Sequence, residues 1–370
     1  LSFFIQLTAL AAGGIFVLAC SGQPSASENS KGCKTRIPGC AVSCGMVDDK
    51  GDLWFGTANQ GVYRYNGECF TNYSEVEALS NKQVSTISQD NEGNIWFGTT
   101  NGICRYDGQT FTHISIPWSD TSGAWLDEVY PIVNPNEVRC MLQDENGIFW
   151  LGTNGAGVYR YNPKASGKPG DEIFTSYLSE RGRKQSDSLH HNVIESMIRD
   201  REGNIWFTSL THAGVSRYDG KGFKHFMPKD GLSDDMVRTV FQDKSGNIWF
   251  GTNGNREGGL DKYNPKTEQF VNFNENDGLC LYKNNNKCYN GVTCIFEDSK
   301  GRMLLGNSLG KLCIYDGETF STFESESGQT ISNVLFALED QDGNMWFGIN
   351  YGHLYKYNGE TLTDMMLPGS

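Results

Sequence analysis

The residues best suited to touch a ligand lie in a few stretches of unlike composition. Residues 113–137 hold Trp118, Trp125 and Tyr130 amid Pro, Ser and Asp. Rigid aromatic rings on a loop bury area at little entropic cost, which suits sugar-like or protein surfaces; the alternative is a loop that caps its own sheet. The stretch "LSERGRKQSDSLHHN", residues 178–192, brings together Arg181, Arg183, Lys184, His190 and His191. It could receive an anion or be a solvated loop. Arg139, Glu195 and Arg238 hold matching positions in three repeated segments and are candidates to line one side of a channel mouth, with mutual pairing the simpler expectation. Tyr282 lies in "GLCLYKNNNKCYN", a local loop whose Cys280 and Cys288 are expected to form a disulfide.

None of these groups makes a catalytic constellation. There is no GxSxG elbow, no HExxH, no phosphate-cradling glycine loop and no metal-spaced Cys/His set. Adjacent histidines such as His190 and His191 rarely aim at one ion. The expectation is a non-enzymatic protein with no cofactor and no metal, although an active site can also be assembled from scattered loop residues. The balance of 31 basic against 44 acidic side chains gives a formal net charge of −13. No basic cluster offsets it, so nucleic acid is excluded as a partner.

The elements that must carry these residues are repeats. "GNIWFGT" occurs at Gly93–Thr99 and again at Gly246–Thr252, and variants place its tryptophan at Trp54, Trp96, Trp150, Trp206, Trp249 and Trp346, with Leu304 at the sixth position. The spacings of 42, 54, 56, 43, 55 and 42 residues define seven units in the range of propellers and arrays. Six residues before each of these positions stands an aspartate: Asp48, Asp90, Asp144, Asp200, Asp243, Asp298 and Asp340. A second motif of the type "GVYRYNG" follows, and its Asp-Gly or Asn-Gly pair is a strong hairpin signal.

Each unit reads as four short strands. In "IWFGT" Ile95 and Phe97 point one way, Trp96 and Gly98 the other. Sheets apolar on both faces must be covered on both, and radial packing of four-stranded blades does that without helices. The chain is therefore expected to be all-β, a seven-bladed β-propeller of four-stranded antiparallel blades spanning 41–370. A buried Trp removes about 150–250 Å² from water, roughly 4–6 kcal/mol at about 25 cal/mol per Å², so the repeated motif is scaffold. The recurring Arg64, Arg105, Arg160, Arg217, Lys262 and Lys356 are expected to pair with the recurring aspartates inside each blade. Cys44, Cys140 and Cys294 share one inner-strand position in non-adjacent units and read as buried free thiols, while Cys33 and Cys40 could close a local loop.

Function is expected where the units differ. The turns after the first and third strands are near-uniform and share one rim. The loops after the second and fourth strands vary widely and share the other.

Residues 1–19, "LSFFIQLTALAAGGIFVLA", are almost wholly apolar and precede Cys20. "VLAC" resembles the lipobox of bacterial lipoproteins, with Cys20 the lipidated residue. Residues 1–20 are thus read as signal peptide and lipobox, 21–40 as a polar tether. Membrane association is expected only through the lipid, at the envelope of a Gram-negative bacterium, with the propeller a monomer.

The pattern "D-x-x-G-N-[IM]-W-F-G-T" followed by "G-[VI]-x-R-Y-[DN]-G" resembles the two-component regulator propeller repeat, over about residues 41–366. Unit six departs, with "RMLLGN" and "KLCIYDG". The family is best known from extracellular sensor regions of bacterial hybrid histidine kinases. The resemblance implies the fold and a recognition role, with carbohydrate or a protein as partner, and carries over no ligand residue. An envelope assembly scaffold is the competing expectation, a lyase-type propeller the third.

Overall fold

In the computed structural model, residues 17–19, 34–79, 83–117, 134–177, 193–253, 259–285, 287–350 and 352–367 are described. Seven antiparallel sheets follow one another along the chain, each with its strands in sequence order. Blade one is Val42–Val47, Leu53–Thr57, Val62–Tyr65 and Phe70–Asn72, and blade two Val84–Gln89, Ile95–Thr99, Gly102–Tyr106 and Phe111–Ile114. Val17–Ala19 adds a fifth strand to the outer edge of blade two. Blade three runs from Asn134–Gln143 through Phe149–Asn154 and Val158–Tyr161 to Phe174–Tyr177; blade four from Ile194–Arg199 through Ile205–Ser209 and Val215–Tyr218 to Phe223–Phe226. Blade five comprises Val237–Gln242, Ile248–Thr252, Leu260–Asn264 and Gln269–Phe273. Blades six and seven are Cys294–Glu297, Met303–Gly306, Cys313–Tyr315, Phe320–Thr322 and Val334–Glu339, Met345–Ile349, His353–Tyr357, Leu362–Asp364. First strands of successive blades pack on each other, so they face the axis.

The core is divided among the gaps between blades. Among the described residues, seven hydrophobic clusters form, one for each pair of neighbouring blades. The alternation of the tryptophan strand explains this. Trp96 lies against Phe149 of blade three at 4.4 Å between ring centroids, while Phe97 of the same strand lies against Trp54 of blade one at 5.9 Å. Every blade thus lends one face of its second strand to each neighbour. Trp346 of blade seven meets Phe55 of blade one at 5.5 Å, which closes the ring.

The chain ends reinforce that closure. Ile37, within the segment assigned to the tether from sequence, is fully buried. It donates to Met365 O at 3.0 Å and accepts from Leu367 N at 2.8 Å, in a parallel bridge to the last blade.

The glycine two residues beyond each tryptophan is set by a close approach. A Cβ at Gly98 would stand 2.5 Å from Thr86 Cγ2 and 2.7 Å from the Val138 carbonyl of the next blade. Blade four manages with Thr208 because Ser196 stands opposite and donates its backbone N–H to Thr208 Oγ1 at 3.1 Å.

The recurring aspartates do different work from that expected. Six of the seven accept the indole N–H of their blade's tryptophan, from 2.7 Å for Trp206 on Asp200 to 3.0 Å for Trp150 on Asp144, while Asp298 of blade six, which has Leu304 there, accepts from Arg302. The same carboxylate fixes the turn, as where Asp90 Oδ1 accepts from the N–H groups of Glu92 at 3.0 Å and Asn94 at 2.8 Å. The basic row is accordingly free of the aspartates. Arg64, Arg105, Arg217, Lys262 and Lys356 lie over the tryptophan rings of their own blades at 5.1–6.0 Å, as cross-strand neighbours. The expected pairing is corrected on this point, because the indole already occupies the carboxylate and the cation gains more over the ring face. Arg64 does take a carboxylate, but that of Asp52.

Candidate functional site

The two rims differ in how their polar groups are spent. On the rim of the first turns, the end of the first strand in blades two to seven binds the turn of the preceding blade. Gln89 Oε1 accepts from Asp49 N at 2.9 Å and Gln143 Oε1 from Asn91 N at 2.9 Å. Arg199 pairs with Glu145. Gln242 Oε1 accepts from Arg201 N at 3.0 Å, Glu297 Oε2 from Lys244 N at 2.6 Å, and Glu339 Oε2 from Ser299 N at 2.7 Å. This rim is a stitched girdle. Its uniformity breaks at the third turns of blade five, Asn264–Gln269, and most strongly of blade three. There Asn162–Ile173 forms an exposed loop held by its own contacts, such as Ser166 N and Oγ to Asp171 Oδ2 at 2.8 and 2.7 Å.

The opposite rim carries the individual connections. Trp118, Trp125, Tyr130, Arg181, Arg183, His190 and His191 belong to two of them and lie outside the described residues, as does Cys20. Arg139, Glu195 and Arg238 stand on consecutive inner strands. Arg139 pairs with Glu195 across the blade gap, with Glu137 3.5 Å from its Nε. Arg238 instead turns to its own blade and donates from Nε to Asn253 Oδ1 at 2.9 Å. The structure therefore joins two of the three in an ion pair and ties the third elsewhere.

Tyr282 sits apart from them, on a small hairpin (Tyr282–Asn284 with Lys287–Tyr289) in the connection from blade five to blade six. The Cys280–Cys288 disulfide closes the base of that hairpin. Tyr282 borders a cavity of about 360 Å³ between this connection, the loop at Leu309–Lys311 and the outer strand of blade six. Lys283 and Lys311 also line it. Lys311 carried a signal in the sequence: it occupies the position of Gly61, Gly102, Gly157, Gly214 and Gly259 in the first five units.

A second feature, unsuspected from sequence, is buried acid. Asp261 is fully buried and accepts from Ser233 N and Oγ at 3.0 and 2.9 Å and from Asn272 Nδ2 at 2.6 Å. Burial, with a smaller push from Asp234, raises its pKa to about 6. Asp234 is itself 1% exposed, and its Oδ2 has no hydrogen-bond partner among the described residues. No group of three or more potential metal ligands exists among the described residues.

The described histidines and thiols are engaged or buried. His225 Nδ1 lies 2.7 Å from Ser216 Oγ, yet Ser216 is fully buried, so no acyl group can reach it. His212 and His353 bind Asp235 and Asp364. Cys40, Cys44, Cys104, Cys140, Cys294 and Cys313 are free. The expected Cys33–Cys40 bond is therefore corrected: Cys40 is a buried thiol, and Cys69 is the disulfide-bonded residue nearby. Desolvation holds these thiols in the neutral form, with Cys44 and Cys294 pushed up to about 12.

A closed ring of seven four-stranded blades, one rim stitched and the other individual, defines a seven-bladed β-propeller. Three stretches of the repeat, residues 78–101, 133–155 and 231–254, match the model of the two component regulator propeller family. No curated protein matches the chain. Among solved structures it is similar to the extracellular domain of a hybrid two component system of B. thetaiotaomicron, with 21% identity and a TM-score of 0.65. That match covers 88% of this chain and 40% of the other, so this chain spans well under half its length. It is also similar to virginiamycin B lyase from Staphylococcus aureus, with 14% identity over 86% of this chain and 94% of the other at a TM-score of 0.61. PorZ of Porphyromonas gingivalis, a surface component of the type-IX secretion system, matches at 17% identity over 88% of this chain and 48% of its own, TM-score 0.58. Identities this low convey the shared fold. No helix among the described residues is long and apolar enough to cross a membrane.

Proposed function

We propose that this chain is a binding propeller of the bacterial envelope, a sensory accessory that recognises carbohydrate or a protein partner through its variable rim and catalyses no reaction. The observation that carries this reading is the contrast between the rims. Inter-blade contacts consume the side chains of one, while long connections and a lined cavity are gathered on the other. Loops free of a packing role are where recognition is usually built. The match of three repeat stretches to the two component regulator propeller model supports a sensory role. A lipid on Cys20 is the proposed anchor. The direct test is glycan-array and calorimetric binding by the purified propeller, with Trp118, Trp125 and Tyr130 replaced by Ala. Binding is expected to be lost in the triple variant, and unchanged binding would sink the assignment of that loop.

An envelope assembly scaffold is the second reading, favoured by the exposed Leu309 and Tyr289 beside the cavity and by the shared fold with PorZ. A scaffold would bind protein through the same rim and show no stabilisation by small molecules in a thermal-shift screen.

A further inference from the structure

We propose that the cavity on the rim of blade six is a binding site for a small carboxylate ligand with a flat apolar face. The proposal rests on the reading of this rim as the recognition face and gives it a location and a ligand chemistry. The cavity, of about 360 Å³, falls in the range of about 300–1,000 Å³ that small-molecule sites occupy. Two apolar members of its lining, Leu281 and Phe320, are held in place. Leu281 is 4% exposed, and the Phe320 ring is stacked on Tyr315 at 4.6 Å. The walls are held to each other by backbone: Lys311 N donates to Leu281 O at 3.2 Å, an approach that Gly310 permits because a Cβ there would collide with that oxygen. The disulfide at the base of the hairpin keeps Tyr282 and Lys283 in place.

Charge selects the ligand. The chain carries a net charge of −13, yet no Asp or Glu is among the described lining residues, whereas Lys283 and Lys311 both are. Both lysines are exposed, and neither forms an ion pair among the described residues. Asp277, which precedes the lining residue Gly278, accepts from the Asn274 N–H at 2.9 Å. Packing does not demand a cation at 311, since five other blades place glycine there. The ammonium groups supply the carboxylate's partners, the Ser321 and Thr322 segment of the outer strand supplies hydroxyls, and the Tyr282 and Phe320 rings in the lining receive the ligand's flat face.

A sugar acid and an aromatic acid share this chemistry, and calorimetry on the full chain separates them. The probes are D-glucuronate with D-glucose as its neutral counterpart, and phenylacetate with phenylacetamide. The expected result is one-to-one binding of at least one acid, with its neutral counterpart and the K283Q/K311Q variant each weaker by about tenfold or more. K283R/K311R should retain binding, and an unchanged thermal transition shows that the variants are folded. No binding of either acid at millimolar concentration overturns the proposal. So does equal binding of the neutral compounds, or binding indifferent to K283Q/K311Q. Should the acid bind the lysine variant normally but fail with the Trp118, Trp125 and Tyr130 variant, the pocket is refuted while the reading of the rim stands.

Discussion

Arg302 donates from Nε to Oδ2 of Asp298 at 2.8 Å, the place that a tryptophan indole takes in the other six blades. The blade that lost its tryptophan to Leu304 also lost the cation above it, because Ile314 faces Leu304 across the strand pair. Indole and cation therefore form one unit, exchanged together in blade six, while the carboxylate stays and takes another donor. In blade six the arginine satisfies the acid, and an aliphatic pair fills the space.

That exchange of donors predicts unequal costs for the same substitution. Asp90→Ala leaves the Trp96 indole N–H buried without an acceptor and removes three bonds within the turn. It is expected to cost about 2–4 kcal/mol. Asp298→Ala should cost less than half of that, since the Arg302 side chain is 36% exposed and can turn to water. Trp96→Ala itself should cost roughly 3–5 kcal/mol. Urea denaturation of the variants measures all three, and equal losses at Asp90 and Asp298 would refute that distinction.

Gly98→Ala tests the close approach between blades. Its methyl would meet the Val138 backbone carbonyl, which no rotamer change can move. A loss of roughly 1–3 kcal/mol is expected. Thr208→Ala in blade four should be milder, because that blade already accommodates a side chain. A neutral Gly98→Ala would show that the blades can part without penalty.

Much of the scaffold was legible in the sequence because packing repeats. Seven copies of one strand pair fix the blade count, and the alternation of Ile95, Trp96, Phe97 and Gly98 foretells that both faces are covered. The partner of the recurring aspartate was not legible. Arg64 and Trp54 are both within reach of an acid by spacing, and only the geometry of the turn decides that Asp48 takes the indole and Asp52 the guanidinium. The cavity was half legible. Lys311 stands out against glycine at its position, but its meeting with Lys283 depends on how two unrelated connections fold against each other. The burial of Asp261 left no trace, since a third-strand position that holds Tyr63 or Cys104 elsewhere says nothing of what covers an acid there.

The inner-strand thiols should resist modification. Cys44, Cys140 and Cys294 lie where a glycine of the second strand packs against them or the next blade, and burial keeps each protonated. Peptide-level mass spectrometry after iodoacetamide treatment should find them unlabelled in the native protein at pH 8 and labelled in guanidinium chloride. Rapid native labelling of Cys140 would mean that the gap between blades three and four opens readily.

Asp261 gives a pH dependence with a definite sign. Its pKa is about 6 in the folded chain, against an ordinary value of 3.8, so between these values the native state binds more protons than the unfolded one. Stability from this group is therefore greatest below the ordinary value and falls as pH rises towards about 6, the reverse of a salt-bridged carboxylate. The full effect is on the order of 3 kcal/mol for a shift of about two units. Other acids titrate in the same window, and Asp90 is shifted the opposite way, so the wild-type profile alone does not isolate it. The difference between wild type and Asp261→Asn does. Stabilities from urea denaturation at a series of pH values should converge or cross as pH rises, with Asp261→Asn gaining on wild type up to about 6 and running parallel above it. Profiles parallel throughout would mean that Asp261 ionises as an ordinary surface acid despite its burial beneath Ser233.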